Sequence, residues 1–292
     1  NHAELRNESV VSPKRGSIAP PALLGDNPID VKTFKGNYLD TLADWMVAPD
    51  NRFFGAATVN RVWGYLMGRG IVEPVDDIRS TSVPAVPALL PMLAEKLAEN
   101  HFDLKWLYRT ILTSRTYQLV SDTNRTNTLD DRFFSHHLPR QMIAQVLLDA
   151  VNKACGTQDQ FGTFPLGTSA VSMPLYVDNG FLDQFGRSNR EFLADLDPHV
   201  EPTLPQTLAL INSTYINGKV AAGDGTVARL ARENKDDGAV IDELYLRTVS
   251  RPPQAAERQR ALDYVAKSKT RREGFEDLLW ALITSREFTF IS

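Results

Sequence analysis

Cysteine is almost absent: Cys155 is the only one in 292 residues. That excludes an intramolecular disulfide framework, a cysteine zinc site and a CxxCH haem attachment within the chain. Histidine is scarce too, with five residues and neither an HExxH nor a His-x3-His pair, so no zinc site is expected. No apolar run approaches the ~18 residues of a membrane span, and no signal peptide opens the chain. G-x-S-x-G, the P-loop and G-x-G-x-x-G are missing, and with them the common signatures of serine hydrolysis and nucleotide binding. Positive charge is not in excess either. Lys+Arg number 32 against 36 Asp+Glu, a net charge of -4, which argues against a chain built to neutralise nucleic-acid phosphates. The first residue is Asn1 rather than Met, which reads as a fragment or processed piece of something longer.

What is present is the composition of a soluble globular protein, 42% hydrophobic and 23% charged. Residues 1–37, with prolines 13, 20, 21 and 28, read as an extended lead-in or linker. From Tyr38 the apolar period becomes helical, and residues 38–292 read as a single helical domain. Leu39, Leu42, Trp45 and Met46 mark a first helix. Val59, Val62, Trp63, Leu66 and Met67 mark a second, closed by Gly68 and Gly70. A third covers Pro87 to Asn100, and Asp103 caps a fourth with Leu104, Leu107, Ile111 and Leu112 as its buried positions. Pro139 fits the first turn of a fifth helix that ends at Gly156. Residues 157–202 form an irregular middle with room for one or two short strands and a short helix near Phe181 to Phe185. Helical period returns at Thr203 with Leu204, Leu208 and Ile211 and persists to the end. The expected fold is mainly α, a multi-helix domain.

An internal echo sharpens that expectation. Ile111-Leu-Thr-Ser-Arg-Thr-Tyr117 and Leu282-Ile-Thr-Ser-Arg-Glu-Phe288 align without a gap. Each follows an amphipathic helix, with a further helix and an Arg-containing turn before it. Two similar three-helix units, 51–117 and 238–288, would therefore flank the irregular middle. Each Thr-Ser-Arg is expected to terminate a helix, with the following aromatic packing back onto its unit.

Two polar constellations could hold chemistry. The first joins Asn60 and Arg61 to the loop carrying Arg69, Glu73, Asp76, Asp77 and Arg79. Its carboxylates suit calcium or paired acid–base work. The interleaved arginines favour an ion-pair network that fixes a glycine-rich turn, and on that reading Arg61→Ala lowers the melting temperature. The second joins Arg187, Ser188, Asn189 and Arg190 to Glu201, Gln206 and Asn212; all of these but Glu201 are donors able to hold a carboxylate, phosphate or sugar hydroxyls. Within it, Thr203 and Gln206 also fit a capping box. Cys155, at a helix end, reads as packing.

The string Asn60-Arg-Val-Trp63, Gly68-Arg-Gly70 and Asp76-Asp77 resembles the DUF1553 (PSD1) domain of large secreted proteins of planctomycetes and related bacteria. The likeness runs on through Asp103-Leu-Lys-Trp-Leu, Ser114-Arg-Thr-Tyr117, Leu147-Leu-Asp-Ala150 and Phe181-Leu-Asp-Gln-Phe-Gly-Arg187. It continues through Glu201-Pro-Thr-Leu-Pro-Gln-Thr207 and ends at Thr284-Ser-Arg-Glu-Phe288. The resemblance implies an extracytoplasmic protein whose partners are other domains of the same polypeptide, DUF1549-like and cytochrome-c-like. Any haem would sit on such a domain and no cofactor in this chain. It supplies no catalytic residues. The expected function is a helical module binding partner domains or an extracellular polymer such as polysaccharide, with no nucleic acid. The alternative is a carbohydrate-active or other hydrolytic enzyme using Asp76, Asp77 or Glu201.

Overall fold

The computed structural model describes residues 10–11, 18–19, 22–23, 36–48, 50–79, 81–174, 176–187, 203–233 and 236–291. Among them are thirteen α-helices, and every strand is two residues long. The chain groups into two compact units, 1–138 and 139–292, each with its own hydrophobic core.

In the first unit β1 (Val10–Val11) pairs antiparallel with β2 (Ile18–Ala19). Helix α1 (Tyr38–Met46) starts where the Asn37 side chain accepts from the Leu39 amide, but none of its residues is buried. Helix α2 (Phe54–Met67) ends at Gly68, whose φ of 77° places it in the left-handed region that glycine enters without steric cost. Helices α3 (Leu89–Glu99) and α4 (Leu104–Leu112) close the core. Leu90, Leu93 and Leu97 from α3 and Leu107 and Ile111 from α4 are buried with Trp63 of α2. Leu104 and Leu112, expected inside, are 48% and 37% exposed. On a nine-residue helix only the i, i+4 pair Leu107 and Ile111 faces the core squarely, and the end residues turn away.

The second unit holds β3 (Arg140–Gln141), α5 (Ala144–Cys155), a 3-10 turn at Ala170–Ser172, α6 (Gly180–Gln184), α7 (Leu204–Asn212), α8 (Thr214–Val220) and α9 (Thr226–Glu233). It is completed by α10 (Asp237–Val249), α11 (Ala255–Lys267), α12 (Arg271–Ile283), α13 (Arg286–Thr289) and β4 (Phe290–Ile291). The helix expected from Pro139 begins only at Ala144. Arg140 and Gln141 instead pair antiparallel with Ile291 and Phe290, and the Met142 amide donates to Thr289. Pairing with the distant end of the chain overrides the local helix signal. The irregular middle contains the expected short helix, α6, and no strand among its described residues. In α7 the period Leu204, Leu208, Ile211 lies on the exposed face, and Gln206 and Leu210 are the buried residues.

Both Thr-Ser-Arg strings sit at helix ends with the same hydrogen bonds. Thr113 Oγ1 donates to Arg109 O and Thr284 Oγ1 to Trp280 O, each at 2.8 Å. Ser114 Oγ accepts from the Tyr117 amide and Ser285 Oγ from the Phe288 amide, each at 3.2 Å. Tyr117 packs on the first core and Phe288 is buried in the second. The threonine ends one helix and the serine starts the next turn, so both residue types are needed where they stand.

Helix α5 stops against the start of α9 at close quarters. Gly156 has φ 68°, and a Cβ there would lie 2.7 Å from Thr226 Oγ1. Gly156→Ala is expected to cost about 1–2 kcal/mol for the left-handed backbone alone, plus the displacement of Thr226. A urea titration checks it, and an unchanged midpoint would refute the close-approach argument.

Candidate functional site

The first polar constellation forms around a loop held from below. Asn60, fully buried on α2, donates through Nδ2 to Val72 O and Val75 O, both at 2.9 Å, and its Oδ1 accepts from the Val72 amide at 2.9 Å. Every polar atom of that side chain is engaged with the loop backbone. The Gly70 amide donates to Glu73 Oε1, and a Cβ on Gly70 would meet Val72 O at 2.4 Å. Arg61 pairs with Asp76 and Arg79 with Asp77. Both pairs are open to solvent, with Arg61 54% and Asp76 69% exposed, so water screens their attraction. Arg69 is half-buried with no carboxylate partner among the described residues. The loop thus combines a buried amide clamp with an exposed rim of paired charges.

The second constellation is described only in part. Asn189, Arg190 and Glu201, with Ser188, lie outside the described residues. Arg187 is buried, its side chain 4% exposed. Its Nη1 donates to Val177 O at 2.6 Å, its Nη2 to Asp183 Oδ1 at 2.5 Å, and the guanidinium lies 4.1 Å from the Tyr176 ring centroid. Those contacts fold residues 176–187 onto α6. Gln206 accepts from the Thr203 amide at 3.1 Å in the capping box, and Asn212 is exposed at the end of α7. The two constellations lie in different units.

Two features of the second unit carry no motif in the sequence. One is a buried polar cluster. Lys219 of α8 donates at 2.7 Å to both Asn152 Oδ1 and Asp159 Oδ1, and Asn152 Nδ2 donates to Asp159 Oδ2 at 2.7 Å. The Lys219 and Asp159 side chains are 8% and 12% exposed, and the Tyr215 ring lies against the ammonium, 4.5 Å from its centroid. Burial would raise the Asp159 carboxyl, but the hydrogen bond and charge of Lys219, with the hydrogen bond from Asn152, outweigh it and hold the group below the ordinary carboxylate range. Burial and the Asp159 carboxylate push the Tyr215 hydroxyl above its ordinary value. Cys155 is 1% exposed, and burial pushes its thiol up to about 12, so it packs rather than reacts at neutral pH.

The other is a cleft of ≈510 Å³ formed by α10, α11 and α12. Tyr245 and Ala261 form its buried floor. Tyr264, 52% exposed, and the half-buried Trp280 supply ring surfaces. Glu257, Arg260 and Asp277 are its charged groups. Glu257 is fully committed: Arg251 grips both its oxygens at 2.8 and 3.0 Å, and the Gln254 amide adds a third bond. Those bonds lower the Glu257 carboxyl to about 2. The same guanidinium holds Glu287 and lies over the Tyr245 ring at 5.7 Å. Tyr264 Oη donates to Asp277 Oδ2 at 2.8 Å.

Sequence reasoning passed over this cleft because its residues sit at the borders of helical stripes. Tyr264 precedes the buried Val265 and Trp280 follows the buried Leu279. An aromatic beside an inward position, repeated on neighbouring helices, was the available signal.

Among the described residues no three His, Cys, Asp or Glu side chains converge as a metal site, and no helix is long and apolar enough to cross a membrane. Residues 40–166 match the PSD1 family model, described as a protein of unknown function (DUF1553). The matched stretch runs from α1 past α5 and contains the Asn60 clamp; the cleft lies beyond it. No curated protein and no solved structure matches the chain significantly.

Proposed function

We propose, with the PSD1 match over residues 40–166 as premise, that this chain is a binding module of a larger extracytoplasmic protein. The cleft of α10–α12 is its ligand-facing surface. One observation carries the reading. The cleft is concave, of small-molecule dimensions, walled by aromatic rings and rimmed by a few polar groups, the usual constitution of a binding site. A sugar unit of an extracellular polymer or a protruding side chain of a partner domain would fit those dimensions. Hydrolysis through Asp76, Asp77 or Glu201 is the second reading. It requires carboxylates whose environments set their pKa values apart, whereas Asp76 and Asp77 each face an arginine at the surface.

The test reads Tyr264 and Trp280 by NMR while a small-molecule fragment library is titrated onto the full chain. Saturable shifts confined to the cleft are expected, abolished in Trp280→Ala and unchanged in Asp76→Asn or Asp77→Asn. Turnover of chromogenic glycoside or ester substrates, lost in the aspartate variants, would overturn the binding reading in favour of the enzyme.

A further inference from the structure

Resting on the reading of the α10–α12 cleft as a binding site, we infer that its ligand is a neutral saccharide. Only a few groups of the cleft are left available. Glu257 is taken by Arg251, and Tyr245 is 7% exposed with Arg251 over its ring. Tyr264, 52% exposed, and Trp280, which packs on the core while lining the cleft, have no aromatic or cationic partner among the described residues, so the ring surface they turn to the cleft is available to a ligand.

Hydrogen-bonding capacity divides evenly between donor and acceptor. Arg260 spends Nε on Ala256 O at 3.2 Å and has no ion-pair partner among the described residues, leaving a guanidinium edge free to donate. Asp277 receives the Tyr264 hydroxyl on Oδ2, leaving Oδ1 free to accept. Among the lining groups outside the Arg251–Glu257–Glu287 ion-pair cluster, one charge of each sign, Arg260 and Asp277, therefore remains at the rim.

That balance selects the ligand class. A quaternary ammonium suits an aromatic cage with net negative charge; here the third ring is already covered by a cation and Arg260 stands beside it. An anion would meet Arg260 but also Asp277, a like charge that disfavours it. A flat protein surface needs a broad contact patch rather than a cleft of ≈510 Å³. A pyranose ring answers every feature. Its C–H face lies against aromatic faces, which carry negative charge density. Its vicinal hydroxyls both donate and accept, matching Asp277 and Arg260 with no net charge to desolvate.

Isothermal titration of the full chain with neutral gluco-, xylo- and manno-oligosaccharides tests the inference. Saturable binding is expected, at least tenfold weaker in Trp280→Ala and several-fold weaker in Arg260→Ala and Asp277→Asn. Circular dichroism shows whether each variant keeps its fold, and Trp280→Phe retains a ring where Trp280→Ala unfolds. Three outcomes overturn the saccharide assignment while keeping the site. They are binding of tetramethylammonium or indole without any sugar, binding of an added partner peptide alone, and tighter binding of uronic-acid oligomers than of neutral ones. If no probe perturbs Tyr264 or Trp280, the cleft is not a binding site and both readings fall.

Discussion

Lys219→Met is expected to lower stability by about 3–5 kcal/mol, the cost of stranding one partner of a buried ion pair. The methionine fills most of the lysine volume, so the loss comes from Asp159, left with Asn152 as its remaining donor at 2.7 Å. Asp159 lies in the loop after α5 and Lys219 on α8, so the pair ties two separate parts of the second core together. The double variant Lys219→Met/Asp159→Leu should recover much of the loss, because a well-packed apolar pair can replace a buried ionic one at little cost. Urea denaturation of the single and double variants measures both effects. Wild-type stability in Lys219→Met would remove the pair from any structural role.

The same pair predicts a pH dependence with a definite sign. The Asp159 carboxyl is held below its ordinary value in the folded chain, so the unfolded chain binds the extra proton in the acid range. Its contribution is fully present above the ordinary carboxylate range and disappears as the pH falls through the folded value. Asp159→Asn should flatten that acid limb of stability against pH. An acid limb of unchanged steepness would place the dependence on other carboxylates.

The helical character of the chain was legible because most helices bury an apolar stripe, as α3 does with Leu90, Leu93 and Leu97. Two caps were legible for the same local reason: Asp103 and Thr203 both accept amides of the first turn. What escaped depends on distance along the chain. The β3–β4 pairing joins Arg140 to Ile291, and Lys219 meets Asp159 across 60 positions; no periodicity within a window reports either. The stripe on α7 misled because a 3.6-residue period marks a face without saying which face is buried.

The two Thr-Ser-Arg helices separate structure from function in an informative way. Their ends share hydrogen bonds at matching distances. In the gapless alignment that joins them, however, Trp280 stands opposite Arg109 and Asp277 opposite Trp106. The common residues are those that terminate a helix, and the cleft residues belong to the later copy alone. The echo therefore pointed to architecture and was silent on the cleft.

Neighbours in sequence, Asn60 and Arg61 should behave in opposite ways. Asn60→Ala leaves the Val72 amide and the Val72 and Val75 carbonyls without the partner that fills them. A buried group left unpaired costs about 1–3 kcal/mol, so a loss of ~3 kcal/mol or more is expected, felt in the first unit. Arg61→Ala removes a solvent-exposed pair with Asp76, a type of contact contributing about 0–1 kcal/mol. The fall in melting temperature that the sequence alone attached to Arg61 is thus reassigned to the residue before it. Thermal unfolding of the two variants decides between them: a large loss in Arg61→Ala with little in Asn60→Ala would mean that the charged rim, not the buried amide, holds the loop. Asn60→Asp sharpens the comparison. The carboxylate keeps the acceptor for the Val72 amide but offers both carbonyls an oxygen instead of a donor, so it should be as costly as alanine.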